Sequence, residues 1–186
     1  MITIDLPSTA STPAESFDSL SKPGLTRFLA RARAAVGLDG QVEVLLSSDA
    51  ELKRLNRAFR GKNKATDVLS FPTPPEFAQA HAGDLAISLD TAARQAAAFG
   101  HTLEDEVRIL LLHGLLHLHG EDHETDQGQM AAREAQLRLQ LKLPINLIER
   151  VTQPKVKSKP KPKPKLKPKP KATPKPKPKP KPRAKP

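Results

Sequence analysis

The chain has 186 residues, 37% of them hydrophobic, and no run of about 18 consecutive apolar residues, which excludes a transmembrane helix. It has no cysteine, so disulfides and thiolate metal ligands are excluded, and a reducing cytoplasm is the expected compartment. The net charge of +11 is unevenly placed: residues 1–153 hold 16 Lys/Arg against 20 Asp/Glu, a net of −4, while residues 154–186 hold 15 basic residues and no acid.

The opening M-I-T-I-D-L-P-S lacks the basic start and long apolar stretch of a signal peptide. Its alternation of Ile2, Ile4 and Leu6 predicts an edge strand, and the Ser/Thr/Pro-rich stretch Ser8 to Ser19 predicts a loop. Leu25, Phe28, Leu29, Ala32 and Val36 recur at helical spacing, with Gly37 as the stop. Gln41 to Ser47 reads as a strand. Asp49 is expected to cap the next helix, whose apolar positions are Leu52, Leu55 and Phe59. Asp67 to Phe71 and Asp84 to Ser88 are two further short strands around a proline-rich loop with Pro72, Pro74 and Pro75. A helix from Asp90 to about Phe99 ends at Gly100, and Thr102 with Asp105 forms a capping box opening the next. That helix carries Val107, Leu110, Leu111, Leu115 and Leu118, a broad apolar face that predicts a central position. Glu124 to Lys142 is expected to form a last helix, with Met130, Leu137, Leu139 and Leu141 marking it and Pro144 closing it. The sum is an α+β fold, a small mixed sheet packed against several helices.

From Pro154 the chain becomes Lys-Pro repeats holding 12 of its 19 prolines. Such a composition forms no core and favours extended polyproline II, about 3.1 Å per residue. The expected organisation is one domain over 1–150 and a disordered Lys/Pro-rich tail over 151–186. Lysine at every second position of a threefold helix spreads around all sides, a diffuse polycation that contacts phosphates without reading bases. The plain alternative is a solubilising extension.

The strongest chemical signal is the run H-G-L-L-H-L-H-G-E-D-H, His113 to His123. His113 and His117, four apart on a helix, face the same way about 40° apart around the axis. Gly120 can end the helix in a left-handed turn, so that His123 returns to the same point. Three imidazole nitrogens converging from one side make a catalytic zinc-type site, with the fourth position left for water. His119 points roughly 160° away from His117 and is no ligand. Nothing marks His81 or His101 as ligands. The spacing H-x-x-x-H-x-x-G-x-x-H is the metal frame of metzincin peptidases, but the glutamate that serves as their base is replaced by Gly114. A hydrolase with another substrate is therefore favoured over a protease. A metal with a purely structural role, in a non-catalytic assembly factor, is the other alternative.

Residues 55–72, L-N-R-A-F-R-G-K-N-K-A-T-D-V-L-S-F-P, follow Arg54 and contribute Arg57, Arg60, Lys62 and Lys64 to a basic cluster able to line a groove and clamp phosphate. A solvated helix face is the ordinary reading of such charges. With only six Phe, mostly at core-like positions, and no Trp or Tyr, no stacking platform for bases is evident.

These segments together resemble the YbeY family of bacterial rRNA maturation endoribonucleases. The histidine run is similar to its H-G-x-L-H-L-x-G-x-D-H signature, residues 55–72 to its second signature, and G-D-L-A-I-S (Gly83 to Ser88) to its third. The resemblance spans about residues 1–150 and excludes the tail. It implies a zincin-like fold and a single-strand-specific metallo-endoribonuclease acting in small-subunit rRNA 3′-end maturation and ribosome quality control. It implies one zinc ion held by His113, His117 and His123, with Arg60 and Asp84 as functional residues beside the ligand His113, and the small ribosomal subunit as partner. Two departures stand out: Ala65 where a proline often precedes Thr-Asp, and Glu121 where an aromatic is common. Asp122 has two roles open to it, orienting an imidazole N–H or capping a helix. No residue is marked as general base, and either water or the RNA's 2′-hydroxyl can be the nucleophile.

Overall fold

The computed structural model describes residues 1–5, 17 and 20–144. The loop expected at 8–19 (Phe17 apart) and the Lys/Pro tail lie outside the described residues. Four strands form one sheet: β1 (Ile2–Ile4), β2 (Gln41–Ser47), β3 (Val68–Pro72) and β4 (His81–Ser88), in the order β1-β2-β4-β3. β1, β2 and β4 are mutually parallel and β3 runs antiparallel to β4, pairing Phe71 with Asp84. The sheet is mixed, as the pattern predicted, and β3 is its exposed edge. Ser88 N–H donates to the Asp67 carbonyl and Thr73 N–H to the Ala82 carbonyl. By the antiparallel alternation, Pro72 then turns its donor-less nitrogen away from β4, where no ladder bond is lost.

The described residues form five helices, α1 (Lys22–Val36), α2 (Asp49–Arg60), α3 (Leu89–Phe99), α4 (Leu103–Leu118) and α5 (Gln129–Leu141). Each of α1 to α4 opens on a hydroxyl cap, with Ser21, Ser48, Ser88 and Thr102 accepting from a backbone N–H three residues on. Ser48, and not Asp49, caps α2. The Asp49 carboxylate instead accepts from Thr91 Oγ1 (2.7 Å) and Arg94 (2.7 Å), and its backbone N–H donates to Asp90 (2.9 Å), tying α2 to α3. α5 starts at Gln129, five residues later than expected. The intervening stretch is a turn whose Asp126 accepts from Gly128 N–H (2.8 Å) and Met130 N–H (2.6 Å), so an aspartate one turn early does the capping.

The sheet has a large core on one side and a small one on the other. On the first, Val42, Val44, Leu85 and Ile87 pack with Leu25, Phe28, Ile109, Leu111 and Leu115 from α1 and α4. On the second, Leu52 of α2 meets Leu69 and Ala86, with Leu45, Leu55 and Phe71 partly covered. Two glycines let α4 lie directly on the sheet. A Cβ on Gly114 would stand 2.7 Å from Leu85 Cδ2, and one on Gly83, at φ +149°, would stand 2.4 Å from the Phe71 carbonyl and 2.8 Å from Leu118. The glycine of G-D-L-A-I-S is thus a packing requirement, as is Gly114.

Candidate metal centre

α4 carries His113 and His117 near its end, and the chain leaves it by a Schellman turn. Gly120 N–H donates to the His117 carbonyl (3.0 Å) and Glu121 N–H to the Leu116 carbonyl (3.0 Å), with Gly120 left-handed at φ +99°. This reversal carries His123 back over the two helical histidines. The three ring centroids form a nearly equilateral triangle, with sides of 4.7, 5.2 and 5.3 Å. One nitrogen from each ring lies within 4.8 Å of the other two, and His113 Nε2 and His117 Nε2 are 3.1 Å apart. Nitrogens at about 2.0–2.1 Å around one tetrahedral centre stand about 3.4 Å from one another, close to the helical pair.

The outer nitrogens decide the protonation of the inner ones. His117 Nδ1 lies 2.8 Å from the Glu121 carbonyl, which can only accept, so Nδ1 carries the proton. His113 Nδ1 lies 3.1 Å from Glu134 Oε2. Burial, then the neighbouring His113, lower the pKa of His117 against the Glu121 carbonyl that raises it, so its imidazole is held neutral. Burial works against the Glu134 charge, but the hydrogen bond and charge of His113 and then Arg138 outweigh it and hold its carboxyl below the usual range. With both Nδ1 atoms donating outward, two Nε2 lone pairs face each other at 3.1 Å. That arrangement can share one cation, whether a proton on His113 or a metal ion, and the donor set fits a metal of the zinc type.

Glu134 was not legible as a site residue. It is buried on α5, where its other oxygen pairs with buried Arg138 one turn on. The available signal was an acid in the middle of the apolar stripe Met130, Leu137 and Leu141, with a cation four residues later. Asp122 takes neither of the two roles open to it: its carboxylate accepts from Glu124 N–H (3.0 Å) and Thr125 Oγ1 (3.2 Å) and so closes the turn that follows, seven residues ahead of α5. Glu121, the departure from the usual aromatic, pairs with Arg133, whose Nη2 reaches the Val36 carbonyl at 2.5 Å. It fastens the metal turn to α5 and to the end of α1. His119 sits beside Glu121 and Arg133 (3.4 and 3.3 Å), outside the triangle. His101 is buried against Glu106 at 2.6 Å.

The other two expected site residues are not brought into the triangle. On β4, Gly83, Leu85 and Ile87 face α4, so Asp84 and Ala86 face the α2 side. Asp84 is exposed and binds His81 Nε2 at 3.1 Å. Arg60 ends α2 on that same side, exposed and without a hydrogen-bond or ion-pair partner among the described residues. The place where a metzincin carries its glutamate is filled by the Gly114–Leu85 contact, so the peptidase base is sterically precluded.

The sequence model of the family described as Endoribonuclease YbeY matches residues 8–142. The chain belongs to this endoribonuclease family. An Endoribonuclease YbeY from Koribacter versatilis is 55% identical over 138 residues, 74% of this chain and 89% of that one. One from Solibacter usitatus is 51% identical over 133 residues, 72% and 88% of the two chains. A solution structure from Thermotoga maritima is 28% identical, covers 76% of this chain and 89% of that one, and has a TM-score of 0.46. Membership makes the chain an RNA hydrolase, and the histidine triangle agrees with the metal dependence of its family.

Proposed function

We propose that this YbeY-family chain is a zinc-dependent endoribonuclease of the cytoplasm that cuts single-stranded RNA, its substrate being small-subunit rRNA during 3′-end maturation and quality control. The observation that carries the metal assignment is the convergence of three imidazole nitrogens, the outer nitrogens of His113 and His117 being engaged elsewhere. His113, His117 and His123 hold the ion, and Glu134 keeps the His113 ring turned so that Nε2 presents its lone pair. An ion so held supplies Lewis acidity toward a phosphoryl oxygen and lowers the pKa of water toward about 7. Arg60, with no competing carboxylate, receives phosphate oxygens and offsets the charge that develops on them. Asp84 shares the α2 side of the sheet with Arg60, so its part is to shape the surface that grips the RNA, not to hold the ion. No helix among the described residues is long and apolar enough to cross a membrane, which is compatible with a cytoplasmic site.

The domain proposed for this chemistry is 1–150, with 151–186 as a tether for RNA phosphates, a role resting on its 15 positive charges and no acid in residues 154–186. The direct test is metal analysis of the purified protein together with cleavage of single- and double-stranded RNA, with and without chelator. Zinc near one equivalent and chelator-sensitive cleavage of single strands are expected. Cleavage indifferent to chelator, or casein cut in place of RNA, would reject the assignment. A 2′,3′-cyclic phosphate at the cut identifies the 2′-hydroxyl as nucleophile, and a simple phosphate identifies water.

A further inference from the structure

The spacing gives Phe59 as one of the apolar positions of α2, yet the structure leaves it in solvent. Leu52, Leu55, Asn56 and Phe59 share one stripe of α2, of which Leu52 and Leu55 pack on the sheet and Asn56 is buried against the Lys64 carbonyl. The stripe's last member overhangs the edge strand β3 and is 69% exposed. Single exposed aromatics are ordinary. Two further observations make this one different. Its ring is held edge-on against Phe71, with centroids 5.2 Å apart and planes at 68°, so a rigid ring is presented without its own freedom to lose. The end of α2 and the loop after it carry Arg60, Lys62 and Lys64, exposed and with no acidic partner among the described residues, while Lys53 and Arg57, also exposed and unpartnered, lie farther round the helix. By contrast Arg94, Arg108, Arg133 and Arg138 are all paired. Lys53, Arg57 and Arg60 fall within roughly 60° of helical arc, of which Arg60 lies nearest to Phe59, about 100° around the axis. The loop bearing Lys62 and Lys64 is fixed by Asn56 Nδ2 donating to the Lys64 carbonyl at 2.7 Å.

We propose that Phe59 is a base-stacking platform for single-stranded RNA, with Arg60 and the Lys62–Lys64 loop taking the flanking phosphates. This rests on the endoribonuclease reading above and adds a substrate subsite to it. A flat ring beside unpaired cations matches a base beside its phosphates, whereas a duplex keeps its bases stacked and offers only charge. β3 links the platform to the metal helix. Phe71 touches Phe59 on one face, and the preceding residue, Ser70, faces α4, its hydroxyl 3.4 Å from the Gly114 carbonyl beside His113. β3 thus lies between the platform on one face and the metal helix on the other.

The chain holds no tryptophan or tyrosine, so Phe59→Trp introduces a single fluorophore at the platform. The metal-loaded full chain is titrated with a single-stranded 2′-O-methyl oligonucleotide, shown intact afterwards, and with an abasic oligomer of equal length. The expected result is saturable quenching of Trp emission by the oligonucleotide and none by the abasic strand. By anisotropy, Phe59→Ala should weaken binding of the base-bearing strand about 5- to 100-fold, leave abasic binding unchanged, and keep wild-type zinc content. Binding of the oligonucleotide without quenching, or with equal affinity for wild type and Phe59→Ala, overturns the platform. If that result accompanies chelator-sensitive RNA cleavage by the wild type, the endoribonuclease reading survives and the subsite alone falls. If the wild type neither binds nor cuts RNA, both fall.

Discussion

Replacing Glu134 by Gln tests whether the buried carboxylate serves the metal or only the fold. The amide can still accept from His113 Nδ1, but the charge that faces both His113 and Arg138 is gone. A carboxylate behind a ligating imidazole raises its basicity and fixes its tautomer, and losing such a partner typically weakens metal binding by about 10- to 100-fold. That corresponds to about 1.4–2.7 kcal/mol. The same change leaves Arg138, itself 4% exposed, as an uncompensated buried cation, whose cost is about 3–5 kcal/mol of stability. The two effects separate in the double variant Glu134→Gln/Arg138→Met, which removes the stranded charge and should recover most of the stability while zinc affinity stays low. Chelator competition reads the affinity, and denaturant unfolding of metal-free protein reads the stability. Zinc affinity restored along with stability would show that Glu134 acts through packing alone and would refute its role behind His113.

Three other outcomes are expected. Gly83→Ala should be costlier than Gly114→Ala in denaturant unfolding, because the new Cβ meets a backbone carbonyl at a positive φ in the first case and a leucine methyl in the second. The second should lose up to about 2 kcal/mol, overpacking being partly offset by alanine's helix propensity. Metal-free protein should lose stability as pH falls: the folded-state pKa of His117 lies below its ordinary 6.5, so the unfolded chain takes up the proton first and stability declines from about pH 6.5 downward. Glu134, held below its ordinary 4.5, adds a further loss as pH drops through its folded value, and a flat unfolding profile between pH 7 and 5 would contradict the His117 contribution. Asp49→Ala breaks the bridge among Ser88, Thr91 and Arg94 and should cost about 1–3 kcal/mol, read as a lower denaturation midpoint with unchanged zinc content.

What the sequence made legible was what repeats or is local. Helical periodicity placed α1 and α4, Gly37 marked the end of the first and Thr102 the start of the second, and the spacing of His113, His117, Gly120 and His123 anticipated the histidine triangle. What it hid depended on distant parts of the chain. Glu134 is 21 residues from His113, and only the docking of α5 on α4 turns an acid in an apolar stripe into a ligand's partner. Phe59 fits the buried stripe of α2 by spacing alone. Whether the sheet reaches far enough to cover it is settled by the order β1-β2-β4-β3, which leaves β3 at the edge.

Gly114 connects the fold to the chemistry. The metal frame is that of a peptidase, yet the residue beside the first ligand has no side chain because α4 lies against Leu85 there. Restoring a glutamate would lift the helix off the sheet, and with it the ring of His113. The cluster therefore keeps its metal geometry by giving up a base at that position, and any proton acceptor must come from the nucleic acid, from solvent or from another element. A glutamate is the usual means of activating water for amide cleavage in this frame. A phosphodiester asks instead for charge to be spread over its oxygens. Arg60, with no partner among the described residues, lies on the α2 side of the sheet outside the histidine triangle, where its guanidinium is available to oppose such charge.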